Sequence, residues 1–417
     1  MLNLDAPRCR HPLKQAALTF VFASIVSLPL SLVAVSSSWA VEVGVTEKEI
    51  KIGILGSLTG PGAIFGTGNL AGATIAFEQI NEAGGVNGRK LEWISLDDES
   101  SPPKAIAAYK RLVDQEKVFA IFGPAGSAVG QALVPTLNAS TTPTFVSLFS
   151  TPAVTEPPIP MLFRTGVMND RQQGSAIADY VVDNLGAKKI ALVSQSDEYG
   201  KRGSEAVVGR LAARKLALVS NEVFNISDTD FTAQISHTIE ATPDVLIVYG
   251  YPNPSAIITR QAKQLGLKAK IMGANSAGSR KYPEIVGEAA AGTQNILTLK
   301  VLPEGDDPAA VKFRTNFEKR FPDLARQGRP DLGDVLGYGG ALVFMEGLKR
   351  AGTDLTQAGF VKALESLKSF ETGLTLPTTF SATEREGNHS ASIVEIQSDL
   401  TRKLLPVVVQ AKDEKPK

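Results

Sequence analysis

The chain has 417 residues with 43 basic and 43 acidic side chains, three histidines and one cysteine. Balanced charge argues against the basic footprint that nucleic acid demands, and a lone cysteine excludes a disulfide framework, which a chain able to bury large cores does not need. This length fits two domains.

The N-terminus reads as an export signal. Arg8, Arg10 and Lys14 precede the uncharged stretch 16–35, and Ser38-Trp39-Ala40 puts small residues at the two positions a signal peptidase inspects, so cleavage is expected after Ala40. The stretch approaches the length of a membrane span, and an uncleaved anchor is the alternative that Pro29 and the serines weaken. Cys9 precedes the apolar stretch and is not placed for lipidation of a mature N-terminus. Without residues 1–40 the chain keeps 40 basic and 42 acidic side chains and no cysteine, and it is expected to be soluble outside the cytoplasmic membrane, in the periplasm.

EIKIGIL, from Glu49, reads as a strand, 56–62 as a Gly-rich loop, and 69–81 as a helix with Leu70, Ala73, Phe77 and Ile80 on one face. The turn Gly84-Gly85-Val86-Asn87-Gly88 leads to a strand at 91–95. Pro102-Pro103 opens a helix with an apolar stripe of Ala105, Ala108, Tyr109, Leu112 and Val113. VFAIF, at 118–122, forms the next strand and stops at Gly123-Pro124; a helix opens at Ser127, and a strand follows at 144–147. Helices alternating with unbroken apolar strands imply a parallel sheet covered on both faces. After the Pro- and Thr-rich segment 150–160 the pattern repeats, with helices at 175–185, 203–213, 231–241 and 254–265 and strands at 189–194, 217–223, 245–249 and 268–272. The remainder holds strands at 296–300, 392–396 and 404–410 and helices near 309–320, 337–351 and 355–367. The expected fold class is α/β, two doubly wound parallel-sheet lobes, each taking ligands where loops converge at its strand C-termini. The lobes are expected to comprise 41–165 with 298–375 and 166–297 with 376–411, leaving 412–417 as a polar tail.

Enzyme chemistry finds little support. No Lys-Ser/Thr follows Gly60 and no G-x-G-x-x-G opens a helix, so nucleotide binding is not expected; Ala125 breaks the nucleophile-elbow pattern around Ser127. His237 lies in an amphipathic helix and His389 in a polar loop, neither placed as a base. Asp97-Asp98-Glu99 is the one dense acidic patch and reads as a solvated turn rather than a metal site. No cofactor, metal or catalytic residue is therefore expected.

What does collect at strand ends is a set of hydroxyls and aromatic rings. The Gly-Ser pair before the helix at Ser127 leaves backbone N–H groups unpaired beside a hydroxyl, a cradle suited to a carboxylate; the alternative is that Ser127 merely caps its helix. Phe65 lies in the first Gly-rich stretch, Phe149 and Ser150 follow the strand at 144–147, and Tyr199 and Tyr251 sit in Asp197-Glu198-Tyr199-Gly200 and Tyr249-Gly250-Tyr251-Pro252. Few polar groups beside apolar walls suit a small organic acid with an apolar body, although each ring alone fits packing between helices equally well.

EIKIGILGSLTGPGAIFGTGNLAGATIAFEQINEAGGVNGRKLEWISLDDES, AIFGPAGS, STPAVT, DEYGKRGSEAV and DFTAQI followed by IITRQAKQLGLKAKIMG together resemble the periplasmic binding proteins of branched-chain amino-acid ABC transporters, over about 49–408. The resemblance implies a type I periplasmic-binding fold, a Venus-flytrap of two lobes joined by a three-crossing hinge that closes on a solute. It implies that Ser127 receives the ligand carboxylate, helped by Ser150 and the Leu148 carbonyl. Tyr199 and Tyr251 then come from the second lobe, and Phe65 covers the ligand. Where amino-acid binders of this family carry an acid for the ammonium, IMGANSAG places Asn275. A buried ammonium without a charged partner costs several kcal/mol, which favours a small carboxylate with an apolar or aromatic body over a branched-chain amino acid. The expected partners are a membrane permease and its ATPase, served by a monomer; the alternative is a sensing module that passes lobe closure to a receptor or regulator.

Overall fold

The computed structural model describes residues 42–410, so the expected signal peptide with its cleavage after Ala40, and the polar tail, lie outside the described residues. The first layer begins with β1 (Glu49–Gly56), α1 (Ala63–Glu82), β2 (Lys90–Asp97) and α2 (Pro102–Lys110). It continues through β3 (Ala120–Phe122), α3 (Ser127–Ala139), β4 (Thr144–Val146) and β5 (Leu162–Arg164). These strands form one parallel sheet in the order β2-β1-β3-β4-β5. The period of two explains why it is covered on both faces. Ile52, Ile54, Phe122, Phe145 and Phe163 enter one core, whereas Leu55, Ile121, Val146 and Leu162 enter another with Tyr109, Leu112, Val129 and Leu133 of the α2 and α3 side.

The second layer is built the same way from α4 (Asp170–Asp183), β6 (Ile190–Gln195), α5 (Glu198–Ala213), β7 (Leu218–Phe224), α6 (Thr232–Glu240), β8 (Val245–Tyr249), α7 (Pro252–Gln264), β9 (Lys270–Gly273), α8 (Lys281–Val286) and β10 (Gln294–Leu297). Ile190, Leu192, Ile247 and Tyr249 pack under α4 and α5, and Ala191, Val193, Leu246 and Val248 pack on the opposite face against Phe231, Ile235 and Ile258. The chain then returns to the first core with α9 (Pro308–Arg320), α10 (Pro322–Arg326), α11 (Leu332–Ala351) and α12 (Gln357–Glu365). It ends in the second sheet with β11 (Ser390–Ile396) and β12 (Arg402–Gln410). The order β12-β11-β10-β9-β8-β6-β7 is parallel from β10 to β7, but β11 and β12 run antiparallel. The second sheet is therefore mixed, a departure from the all-parallel expectation: β11 and β12 are joined by a tight turn closed by the Gln397 N–H to Thr401 carbonyl bond, and short hairpin turns pair strands antiparallel.

Two tight contacts fix the geometry near the cleft. At Gly72 of α1 a Cβ would lie 2.1 Å from the Asp334 carbonyl, and at Gly337 of α11 one would lie 2.4 Å from the Asn69 carbonyl, so only glycine lets these two helices run this close. Where the chain crosses between layers, Arg164 at the end of β5 pairs with Glu386 ahead of β11 at 2.7 Å, both essentially inaccessible. Glu386 also accepts from the Asn169 N–H at 2.6 Å and the Asn169 amide at 2.8 Å. This buried cluster ties the first crossing to the third.

Several helices begin earlier than periodicity alone suggests. α1 starts at Ala63 rather than 69, α4 at Asp170 rather than 175, α5 at Glu198 rather than 203 and α11 at Leu332 rather than 337. The opening turns of α4 and α5 are polar and carry no apolar stripe, and the signals that start α4, α5 and α11 are caps. Asn169 accepts from the Gln172 N–H, Asp197 from the Gly200 N–H, and Asp331 with Asp334 closes a capping box. The strand β5 and the short helices α8 and α10 were not visible in the apolar pattern.

Candidate ligand-binding site

Each sheet has one point where the strand order reverses: between β1 and β3 in the first, and between β6 and β8 in the second. Loops leaving neighbouring strands there diverge to opposite faces and open a crevice. The loops after β1 and β3 supply Gly62, Phe65, Gly126 and Ser127; those after β6 and β8 supply Tyr199 and Tyr251. All six line one small cavity between the lobes. Leu148, Ser150, Val167, Gln173, Asn275, Ser276 and Leu332 complete its wall. The lobes meet across it: the Phe65 and Tyr251 rings stand edge to face at 5.6 Å, and the Arg280 N–H donates to Asp331 at 2.9 Å.

Seven of the eight sequence candidates, Phe65, Ser127, Leu148, Ser150, Tyr199, Tyr251 and Asn275, thus share one cavity. Phe149 does not. Its ring is 1% exposed in the core behind the site with Val129, Leu133 and Val154, seated against Gly130, where a Cβ would come within 3.0 Å of it. Backbone alternation after β4 sends it away from its neighbours Leu148 and Ser150. The acidic patch also differs from a solvated turn: Asp98 is fully buried, accepting from Ser57 Oγ at 2.6 Å, and Asp97 accepts from the Leu58 N–H at 2.9 Å and Thr59 Oγ1 at 2.7 Å. Together they fasten the Gly-rich loop that presents α1.

The polarity of the wall follows from helix ends. α1, α3 and α7 enter the cavity at Gly62, Gly126 and Tyr251 with no side-chain cap. Only α3 presents open N–H groups with the positive end of its dipole, a receptor for negative charge; the Gly62 and Ala63 N–H groups of α1 are taken by Ser100 Oγ and the Gly60 carbonyl, and Pro252 and Pro254 of α7 have no N–H. Gly126 holds φ 88°, a left-handed backbone that glycine adopts without strain and that brings the α3 tip to the cavity.

Directly behind the α3 tip is a carboxylate that the sequence did not single out. Asp170, in the first turn of α4, is fully buried and accepts from Ser127 Oγ at 2.9 Å, and Ser127 Oγ lies 3.3 Å from Ser150 Oγ. Its second oxygen has no hydrogen-bond partner. Burial pushes Asp170 up to about 7, with the Ser150 and Ser127 hydroxyls and the Arg164 guanidinium pulling it back and the charge of Asp197 adding to the rise. Asn275 Oδ1 accepts from the Thr298 N–H at 3.0 Å and from Thr298 Oγ1 at 3.2 Å, leaving its amide nitrogen for the cavity. Ser276 Oγ donates to the Gly250 carbonyl at 2.6 Å, so the Tyr199 hydroxyl, 3.0 Å away, donates to Ser276 and offers the cavity only lone pairs. Burial raises both Tyr199 and Tyr251 well above the usual phenol range, so both stay neutral.

Two α/β lobes that meet across one cavity, with an uncapped helix tip, hydroxyls and aromatic rings on its wall, define a solute-binding protein. The family profile of the periplasmic binding proteins matches residues 49–401, and the chain belongs to that family, with the type I fold. It is 28% identical over 360 residues to the leucine-, isoleucine-, valine-, threonine- and alanine-binding protein of Pseudomonas aeruginosa, covering 85% of this chain and 91% of that one. Among solved structures it is similar to a leucine-binding protein from Thermotoga maritima, with TM-score 0.75 at 25% identity over 87% of this chain and 99% of the other. It is also similar to a branched-chain amino acid transporter substrate-binding protein from Streptococcus pneumoniae in complex with isoleucine, with TM-score 0.74 at 25% identity over 86% and 99%.

Proposed function

We propose that this protein is the extracytoplasmic solute-binding component of an ABC importer, and that it captures a small α-amino acid with an apolar side chain and presents it to a membrane permease and its ATPase. The observation that carries this is the pairing of two unlike features beside one cavity, the uncapped tip of α3 at Gly126 and Ser127 and the buried Asp170 that the Ser127 hydroxyl holds just behind the wall. A carboxylate suits the first and an ammonium the second. Asp170 supplies the acid that Asn275 does not, which reverses the preference for a plain carboxylate. The Phe65, Tyr251, Leu148, Val167 and Leu332 side chains enclose an apolar body. The names of the relatives, binders of leucine, isoleucine and valine, point the same way.

The mechanism is binding without chemistry. Solute bridges the switch points of both lobes, and closure is stabilised because only the closed form makes both sets of contacts. One chain supplies the whole wall, so the monomer suffices. A thermal-shift screen of the exported protein over amino acids, aliphatic acids, aromatic acids and amides tests the assignment, since a ligand bound only by the folded state raises Tm by mass action. Leucine, isoleucine or valine should raise Tm more than 4-methylpentanoate or benzoate. The opposite order would overturn it.

A further inference from the structure

Gln173 lies in the first turn of α4, three residues beyond Asp170, and lines the ligand cavity although nothing in the sequence singled it out. Its side chain is 1% exposed. Nε2 donates to the Met168 carbonyl at 2.8 Å, a bond the amide oxygen cannot replace, so the orientation of the amide is fixed. Oε1 is then left as an acceptor with no partner. A buried polar atom without a hydrogen bond is costly and calls for an occupant. One turn away stands the buried Asp170 carboxylate, which the Ser127, Ser150 and Tyr249 hydroxyls surround. Residues i and i+3 of a helix share a face, so the charge of Asp170 stands on the same side of α4 as the orphaned Gln173 Oε1, and the lone pairs of Tyr199 add an acceptor from α5. An occupant that satisfies them must bring several N–H donors from one atom. A primary ammonium does; a second carboxylate or a methyl group does not.

We propose that Gln173 is a ligand-contacting specificity residue, whose Oε1 accepts from the amine of the bound solute and discriminates amine-bearing solutes from their des-amino counterparts. This rests on the amino-acid reading above and deepens it. Asp170 supplies charge, and Gln173 supplies a neutral acceptor with fixed direction, which favours an occupant whose nitrogen carries hydrogens.

The test is calorimetric titration of the full exported protein with two probes of nearly equal shape, L-leucine and 4-methylpentanoate, in wild type, Gln173→Met and Gln173→Glu. Both variants lose the bond to Met168, but only glutamate keeps an acceptor. Leucine affinity should fall at least about tenfold in Gln173→Met, the scale of a hydrogen bond to a charged group. Affinity for 4-methylpentanoate should stay within about threefold, and Gln173→Glu should retain the wild-type preference for leucine. An unchanged leucine preference in Gln173→Met would overturn this proposal and leave the amino-acid reading standing. A wild type that binds leucine no better than 4-methylpentanoate would overturn both. If Gln173→Met does not fold, the crystal structure of the wild type with leucine decides: a ligand nitrogen within hydrogen-bond distance of Oε1 supports the assignment, and one turned away from it refutes it.

Discussion

Titration of Asp170 offers the sharpest separation between an amino acid and a plain acid in this cleft. In the unliganded protein its carboxyl is pushed up to about 7, with Arg164, Asp197, Tyr199 and Tyr249 as the charged or titratable groups around it and the Ser127 and Ser150 hydroxyls against it. At pH 7 it is therefore about half protonated. An ammonium placed beside it favours the ionised form, so binding should release about half a proton at pH 7. Affinity should then rise with pH up to about 8 and fall roughly tenfold per unit below 7; two units correspond to about 2.7 kcal/mol. A solute bearing only a carboxylate has the opposite sign. It repels the ionised Asp170, takes up a proton, and loses affinity as pH rises through 7. Calorimetry at pH 7 in buffers of different ionisation enthalpy reads the sign directly, and a titration series from pH 5 to 8 reads the slope. Asp170→Asn should flatten that slope. Proton uptake on binding leucine, or an unchanged slope in Asp170→Asn, would refute the placement of an ammonium here.

The same residue governs stability without ligand. A carboxyl raised from 3.8 to about 7 by folding contributes stability that is present below 3.8 and lost as pH rises through 7, so Asp170→Asn should melt higher than wild type at pH 8 and close to it at pH 4. Ser127→Ala removes the hydroxyl donated to Asp170 and should weaken leucine binding by roughly 1–3 kcal/mol; calorimetry giving wild-type affinity would remove Ser127 from the site. Glu386→Gln leaves the Arg164 guanidinium buried without its counter-charge and should destabilise by about 3–5 kcal/mol in urea unfolding. Gly72→Ala puts a methyl group against the Asp334 carbonyl and should push α1 from α11, lowering Tm and, because Phe65 and Leu332 ride on those helix tips, leucine affinity as well.

Much of this architecture can be read from residue patterns because its strands are short apolar runs and its helices carry stripes. Ile52, Ile54 and Phe122 reach one core and Leu55 and Ile121 the other through the simple alternation of a strand. The positions of the site were legible for a topological reason: ligands sit at strand C-termini, and Ser127, Tyr199 and Tyr251 follow strands. Helix beginnings were less legible. The first turns of α4 and α5 face the cleft rather than a core and so carry no apolar period. Asp170 and Gln173 fall in such a turn, within MNDRQQG, which reads as a polar linker. The one available signal was Asn169 three residues before Gln172, the spacing of an N-cap and its glutamine. Phe149 failed for the converse reason. Sequence proximity to Ser150 says nothing about direction, and Gly130 opened room for its ring on the core side.

What no pattern could supply is the ownership of individual hydrogens. Ser127 has one, and when Asp170 is ionised that hydrogen points to Asp170, so the hydroxyl cannot also donate to a solute carboxylate. In the proposed complex a solute carboxylate would rest on the open N–H groups of α3, with Ser127 holding Asp170. Tyr199 has one as well, and the chain from Tyr199 through Ser276 to the Gly250 carbonyl directs it away from the cleft. Residues that look like donors therefore present acceptors to the solute. Which of these hydroxyls offers a hydrogen and which a lone pair is set by these neighbouring bonds, which depend on tertiary packing, rather than by the identities of the hydroxyl residues themselves.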